Sequence, residues 1–312
     1  MVSVTRLDDG ITCIDLEFRG QPGVIAVYLV EDAGERALIE TGPTSTLDAL
    51  LSGLEAAQVQ PESISKLLVT HVHLDHAGAA GTFIRRFPQA RLFVQEIGAP
   101  HMLDPSKLLA SATRIYGDMM GRLWGHVEPV PETNLTALTD EDRVTVGNRE
   151  LVALYTPGHA SHHVAYHDAG RRAVLTGDVG AVRMQGADYV RPPTPPPDVD
   201  LDLWSRSLER IELLDPQVLY LTHFGPFSDV REHLRQARYR LFGWGEMVSR
   251  ALERGQGRDE IVDNLRRQAD PEIMQSAGDP SILKQYELAS PYGMSVDGYL
   301  RYFKKQRREK AP

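Results

Sequence analysis

The amino-acid sequence predicts a layered α/β fold, two mixed sheets with helices outside them, followed by a helical appendage. Two patterns carry the prediction. Through residues 1–227, short apolar runs rich in β-branched residues alternate with segments whose apolar positions recur at helical spacing. Over residues 228–312 the helical period takes over, which sets the boundary between a main body and the appendage.

The elements follow in order. "ITCIDLEF", "VIAVYLV" and "RALIE" lie between turn residues such as Gly20, Pro22, Gly23, Ala33 and Gly34 and read as a meander. "TSTLDALLSGLEAAQ" puts Leu47, Leu50, Leu51 and Leu54 at helical spacing, with Ser45 or Thr46 as N-cap candidate. "ISKLLVT" is the next strand, "GAAGTFIRRF" a helix and "ARLFVQ" a strand. Residues 101–135 fit no simple sheet connection, and "PSKLLASATRIYGDMMGRLWG" carries more apolar and aromatic material than an exposed loop displays. It is either a helix pair packed on the core or a helical flap over a site. "RVTVGNRELVALYT", "HHVAYHD" and "RRAVLTGD" are further strands, and "RPPTPPPD" is a stiff extended connector that no central strand could contain. "LDLWSRSLERIELL" is a helix and "PQVLYLTHFGP" a strand. From Val230 onward, Leu234, Ala237, Leu241, Trp244 and Val248 mark one long amphipathic helix, where Gly243 and Gly245 permit either tight packing or a bend beside a ligand.

Composition narrows the function. The 312 residues are 42% hydrophobic and 25% charged, ordinary for a globular chain with a sizeable core. No apolar run approaches the roughly 20 residues of a membrane helix, and "MVSVTRLDDG" has no secretory pattern, so a cytoplasmic protein is expected. The single cysteine, Cys13, sits in an alternating strand and reads as a small core thiol. Residues 1–227 hold 18 Lys/Arg against 30 Asp/Glu, whereas residues 228–312 hold 16 against 13. An acidic body disfavours a polyanion, which points away from nucleic acid and toward a small-molecule substrate. The basic cluster "RYFKKQRREK" reads as a solvated helix end.

The chemistry is concentrated in "LLVTHVHLDHAG", where His71, His73, Asp75 and His76 stand directly behind an apolar strand. Neutral imidazoles crowded beside a carboxylate are costly to bury without a partner, and a metal supplies one. In extended geometry His71 and His73 point to one side, while Asp75 and His76, after a turn, reach a second ion. Three more strands deliver one candidate ligand each at their tips: His159 in "LYTPGHASHH", Asp178 in "LTGD" and His223 in "LYLTHFGP". All seven offer nitrogen or oxygen, which suits zinc, iron or manganese.

These fragments, in this order over residues 11–227, resemble the metallo-β-lactamase superfamily, specifically its glyoxalase II-like hydrolases. The resemblance implies a four-layer αββα sandwich with the metals at one edge between the sheets and residues 1–227 as the catalytic domain. It implies that His71, His73 and His159 hold one metal, that Asp75, His76 and His223 hold the other, and that Asp178 bridges them. The cofactor expected is two divalent ions, zinc before iron or manganese. Such a pair shares a bridging hydroxide at neutral pH, with Asp75 placed to shuttle its proton. The function expected is hydrolysis of a carboxylic ester or thioester. Lactonases and phosphodiesterases use the same site, and a mononuclear-iron oxidoreductase similar to persulfide dioxygenases is the alternative from another class. The tyrosine that follows the bridging aspartate in the similar lactonases is absent, since Ala181 stands there, and Tyr189 is the available substitute. His163 matches the second histidine of the family's pattern, His162 replaces its usual glycine, and His101, His126, His167 and His233 read as surface or pocket residues. Met119, Trp124, Tyr189 and Trp244 are the candidate substrate contacts, in a wall formed by residues 106–126 and the appendage.

Overall fold

The computed structural model describes residues 2–7 and 10–309; the remaining positions, which include three of the N-terminal stretch and Lys310 of the basic cluster, lie outside the described residues. The first sheet contains β1 (Val4–Leu7), β2 (Ile11–Asp15), β3 (Ala26–Asp32), β4 (Glu35–Ile39), β5 (Lys66–Leu68), β6 (Arg91–Gln95) and β7 (Leu135–Leu138), paired in that order. Its first four strands form the antiparallel meander, and β4 to β7 run parallel. Parallel neighbours need crossovers, which pass through α1 (Leu47–Ala56), then α2 (Leu74–Ala77) and α3 (Ala80–Arg86), then α4 (Ala99–Leu103), α5 (Ser106–Tyr116) and α6 (Met120–Trp124). The second sheet contains β8 (Arg143–Val146), β9 (Arg149–Tyr155), β10 (Val164–Asp168), β11 (Ala173–Leu175), β12 (Val218–Leu221) and β13 (Gly225–Phe227). Only β11 and β12 pair in parallel there, joined through α7 (Leu201–Leu213). The chain ends in α8 (Val230–Glu253), α9 (Arg258–Ala277), α10 (Ser281–Ala289) and α11 (Tyr292–Glu309).

Strand alternation sorts the apolar residues into layers. From β2, Ile11 and Cys13 join Tyr28, Val30, Ile39, Val144, Leu151, Val164, Tyr166 and Leu175 in a core between the two sheets. Ile14, one residue out of phase, faces the other way onto Leu50 and Leu54 of α1. The outer face of the second sheet packs Val174, Leu219 and Leu221 against Trp204 and Leu208 of α7 and Leu234, Leu241 and Val248 of α8. The result is the four-layer αββα sandwich. Burial pushes the Cys13 thiol up to about 12, with Asp15 adding to it, so Cys13 stays protonated and inert.

Two local details differ from the expected ones. Thr46 does occupy the N-cap of α1, but a 3₁₀ turn precedes the helix and its hydroxyl donates back to the Pro43 carbonyl at 3.0 Å. Ser45 instead donates to the Leu123 carbonyl at 2.6 Å, tying that turn to α6. In α8 tight packing explains Gly245, where a Cβ would lie 3.2 Å from Leu201 and 3.3 Å from Tyr299; Gly243 faces open space, and packing does not explain it.

The appendage helices share one apolar cluster with the second sheet and α7. Arg191 pins them. Its guanidinium is fully buried and sits 4.0 Å from the ring centroid of Tyr292, 5.0 Å from that of Tyr286 and 5.8 Å from that of Trp244, and it donates to the Ser290 carbonyl at 3.0 Å. Within the basic cluster Arg301, Lys304, Arg307 and Arg308 are exposed along α11, as a solvated helix end requires. No helix among the described residues is long and apolar enough to cross a membrane.

Candidate metal centre

Strand tips converge on one edge of the sandwich. β5 ends at Leu68, and the chain continues extended through His71 to His73, which occupies the N-cap of the single-turn helix α2. That turn carries Asp75 and His76. β9 leads through Pro157 and Gly158 to His159, where the close approach of Trp204 excludes any side chain at 158: a Cβ would lie 2.3 Å from the Trp204 Cα. β11 leads to Asp178 and β12 to His223. Gly177 is similarly obligatory, with φ +53° and a would-be Cβ 2.4 Å from the Thr70 hydroxyl.

All seven expected residues meet. The ring nitrogens of His71 (Nε2) and His159 (Nε2) lie 2.9 and 3.0 Å from Nδ1 of His73. Asp178 Oδ1 lies 3.2 Å from His76 Nε2 and 3.4 Å from His223 Nε2, while its Oδ2 lies 3.3 Å from His159 Nε2. Asp75 Oδ2 closes the second group at 3.7 Å from His76 and 3.6 Å from His223. The triads His71–His73–His159 and Asp75–His76–His223 each place their donor atoms within 4.8 Å of one another.

The groups behind the rings decide their tautomers. His159 Nδ1 donates to the Pro193 carbonyl at 2.9 Å and His223 Nδ1 to the Val24 carbonyl at 2.7 Å. His76 Nδ1 donates to the Glu40 carboxylate at 2.9 Å. The Thr70 hydroxyl gives its proton to Glu40 at 2.6 Å, so it accepts from His71 Nδ1 at 3.0 Å. Each of these four rings therefore turns an Nε2 lone pair toward the centre. His73, with at most one hydrogen on Nδ1, cannot satisfy both lone pairs facing it. Among the described residues His76 Nε2, His223 Nε2 and Asp178 Oδ1 are buried with no well-formed hydrogen bond, facing only one another at 3.2 to 3.4 Å. A cation fits this donor set, and its absence would leave the lone pairs opposed.

With no cation among them, the carboxylates and rings of the cluster shift one another instead. Burial opposes the charge on Asp178, yet His76, His159 and His223 outweigh it and hold the carboxyl well below its usual range. Asp75, opposed by burial in the same way, is held at about 2 by His76 and His223. Burial pushes His71 well down and lowers His73 to about 4, with neighbouring rings adding to both. Burial would also lower His76, but the Asp178, Glu40 and Asp75 carboxylates raise it well above the ordinary range.

Sequence reasoning missed Glu40. It directly follows β4, fully buried at φ 69°, and accepts from Thr70 N, Thr70 Oγ1, His76 Nδ1 and Thr222 Oγ1. One buried carboxylate thus orients groups from the His71 loop, α2 and the residue that follows β12. His163 is saturated: its Nε2 accepts from Val179 N at 3.3 Å and its Nδ1 donates to Thr156 at 2.9 Å, which holds the turn bearing Asp178. His233 is no surface residue but is fully buried in α8, where Nε2 donates to the Gly180 carbonyl at 2.6 Å. His126 is exposed and His167 half-buried on β10.

Beside the centre opens a cavity of about 320 Å³. His73, Asp75, His159 and Asp178 line its floor; Ile97, Leu108, Ala112, Ile115, Tyr116 and Trp124 form one wall; Pro193 to Pro197 with Pro291, Met294 and Ser295 form the other. The proline-rich connector and the appendage are therefore pocket walls. Residues 106–126 are wall and brace at once, because Trp124 also stacks on Phe18 with centroids 5.7 Å apart. Of the four expected substrate contacts only Trp124 lines this cavity. Met119 lies half-exposed outside it, on the turn before α6. Tyr189 and Trp244 border a separate polar groove between α8 and α9, with Arg240 covering Tyr189 at 3.9 Å. Tyr189 is thus not brought to the centre in place of the missing lactonase tyrosine. His101 and His162, passed over as ligands, both reach the cavity.

A two-sheet sandwich whose strand tips gather histidines and aspartates defines a class of metal-binding proteins. The chain belongs to the metallo-beta-lactamase superfamily, generally hydrolases, whose family model matches residues 20–223. It is 25% identical over 223 residues to the atrochrysone carboxyl ACP thioesterase of Aspergillus fumigatus, covering 70% of this chain and 58% of that one. It is 24% identical over 255 residues to the hydroxyacylglutathione hydrolase of Aeromonas salmonicida, covering 81% of this chain and 77% of that one. A metallo-beta-lactamase family protein from Thermus thermophilus shares the fold, with a TM-score of 0.67 at 24% identity over 91% of this chain and 89% of that one.

Proposed function

We propose that the protein is a dinuclear metal-dependent hydrolase of carboxylic esters or thioesters with an apolar acyl group. The observation that carries this reading is the division of Asp178, whose Oδ1 faces His76 and His223 while its Oδ2 faces His159. A carboxylate so shared suits a bridge between two ions. His71, His73 and His159 would hold one, and Asp75, His76 and His223 the other. Such a pair polarises an acyl carbonyl and lowers the pKa of water from 15.7 to about 7.

The residues of the chain supply the rest. Asp75, ionised at neutral pH and open to the cavity, accepts a hydrogen bond from the attacking water and passes its proton toward the departing thiolate or alkoxide. The walls exclude solvent and bind the acyl group through Leu108, Ile115, Tyr116, Trp124 and Met294. Relatives named as a thioesterase and as a hydroxyacylglutathione hydrolase support thioesters first.

A panel of aliphatic thioesters and esters of increasing acyl length, beside a bis-aryl phosphodiester, tests the reading. Each buried methylene contributes about 0.8 kcal/mol, so kcat/KM should rise about fourfold per carbon until the slot fills. Trp124→Ala should move the optimum to longer acyl groups and Ala112→Leu to shorter ones, with metal content unchanged. If every chain length slows by one common factor, the wall is a brace alone. Turnover of the phosphodiester without any acyl substrate would overturn the assignment.

A further inference from the structure

We infer that His162 is a catalytic residue whose Nε2–H donates a hydrogen bond to the acyl oxygen of the substrate as negative charge develops there. The inference rests on the acyl-hydrolase reading above. Its starting point is a contrast between adjacent histidines. His163 spends both ring nitrogens on Val179 and Thr156. The one hydrogen bond that joins the His162 ring to another of the described residues is a long one, in which its Nδ1 accepts from Val72 N at 3.4 Å. An acceptor at Nδ1 leaves the hydrogen of the neutral ring on Nε2.

His162 is 7% exposed and lines the cavity on the side of the His71–His73–His159 triad, with its ring centroid 5.7 Å from His73 and 6.1 Å from His71. The fold also makes room for it. At Gly98, just before α4, a Cβ would lie 3.3 Å from His162 Cβ and 2.8 Å from Val72 Cγ1, so a side chain there would press on the root of the His162 side chain and on the residue that orients it. A trimmed neighbour, a fixed tautomer and an uncommitted donor beside the triad together describe a built hydrogen-bonding position.

The chemistry needs such a donor at one moment. The water-derived oxygen bonds to the acyl carbon and the carbonyl π pair moves onto the acyl oxygen. When that pair returns, the carbon–sulfur bond breaks and the thiolate leaves with the proton Asp75 relays. His162 keeps its own proton throughout. A preorganised donor aimed at the developing charge lowers the barrier more than it strengthens ground-state binding.

Isosteres separate this role from merely holding Val72. In His162→Asn the amide oxygen takes the place of Nδ1 and accepts from Val72, but no atom reaches the Nε2 position. In His162→Gln the amide nitrogen reaches the Nε2 position. With a thioester that the wild type hydrolyses, Asn should lower kcat about thirtyfold with KM within threefold and metal content unchanged, and Gln should recover most of the loss. An alkyl phosphonate, which mimics the tetrahedral charge, should bind the Asn variant at least tenfold more weakly, while the carboxylate product loses less. Wild-type kcat in His162→Asn would overturn the inference, as would equal losses in both variants accompanied by metal release. If the wild type hydrolyses no acyl substrate, the underlying functional reading fails first, and this inference with it.

Discussion

Asp178→Asn should lower turnover more than a thousandfold and weaken metal retention in both halves of the centre. The reason is geometric: both oxygens of this carboxylate are committed, Oδ1 to the His76–His223 side and Oδ2 to His159. An amide retains one acceptor, and its N–H₂ group cannot ligate a cation but can donate to the ring lone pairs that a cation would otherwise take. The negative charge that several buried histidines depend on disappears as well. Single changes on one side, such as His223→Ala, should cost less, because the other triad remains whole. Metal content by mass spectrometry and kcat/KM on one thioester check this together; an Asn variant that keeps two ions and a tenth of the activity would sink the bridging assignment.

Glu40→Ala is expected to have the next largest effect, although Glu40 reaches no substrate. Removing it leaves Thr70 N, Thr70 Oγ1, His76 Nδ1 and Thr222 Oγ1, all on buried residues, without their acceptor. His76 then loses the bond that keeps its Nε2 lone pair aimed inward, and His71 loses its support through Thr70. Losses behind a ligand typically run from ten- to a hundredfold in metal affinity or activity, and with two ligand histidines affected the upper end is expected. The ion on the His76 side should dissociate first. Thermal unfolding should also shift down, since each buried donor left unpaired costs about 1–3 kcal/mol. Tight retention of both ions with activity within threefold of wild type would show that Glu40 is dispensable.

The parts of this centre that were legible in the sequence share one signature. His71, His159, Asp178 and His223 each follow an apolar strand that stops at a polar side chain, and a rigid sheet leaves such residues few places to go. Glu40 follows the same design, but a glutamate at a strand end reads as a solvated terminus until its four donors are seen. The layer architecture was legible because strand and helix periods alternate cleanly. The edge strands β1, β7 and β13 were not: unlike the equally short β11, each buries at most one residue, so no apolar run marks them. Apolar helical positions announce burial without naming what they bury against. Trp244 therefore looked like pocket surface, whereas it belongs to the aromatic cage around Arg191, and Met119 sits one turn short of the wall that Trp124 forms. His162 was visible only as a departure from a familiar pattern; its value as a donor depends on Val72 and Gly98, neither of which is near it in sequence.

The most direct test of the account is the metal stoichiometry of natively purified protein, measured beside thioester hydrolysis and oxygen consumption on the same preparation. The account predicts close to two divalent ions per chain, loss of hydrolysis on chelation, recovery as the second ion is restored, and no oxygen uptake. One iron per chain under metal-replete conditions, with oxygen consumed and thioesters untouched, would contradict it.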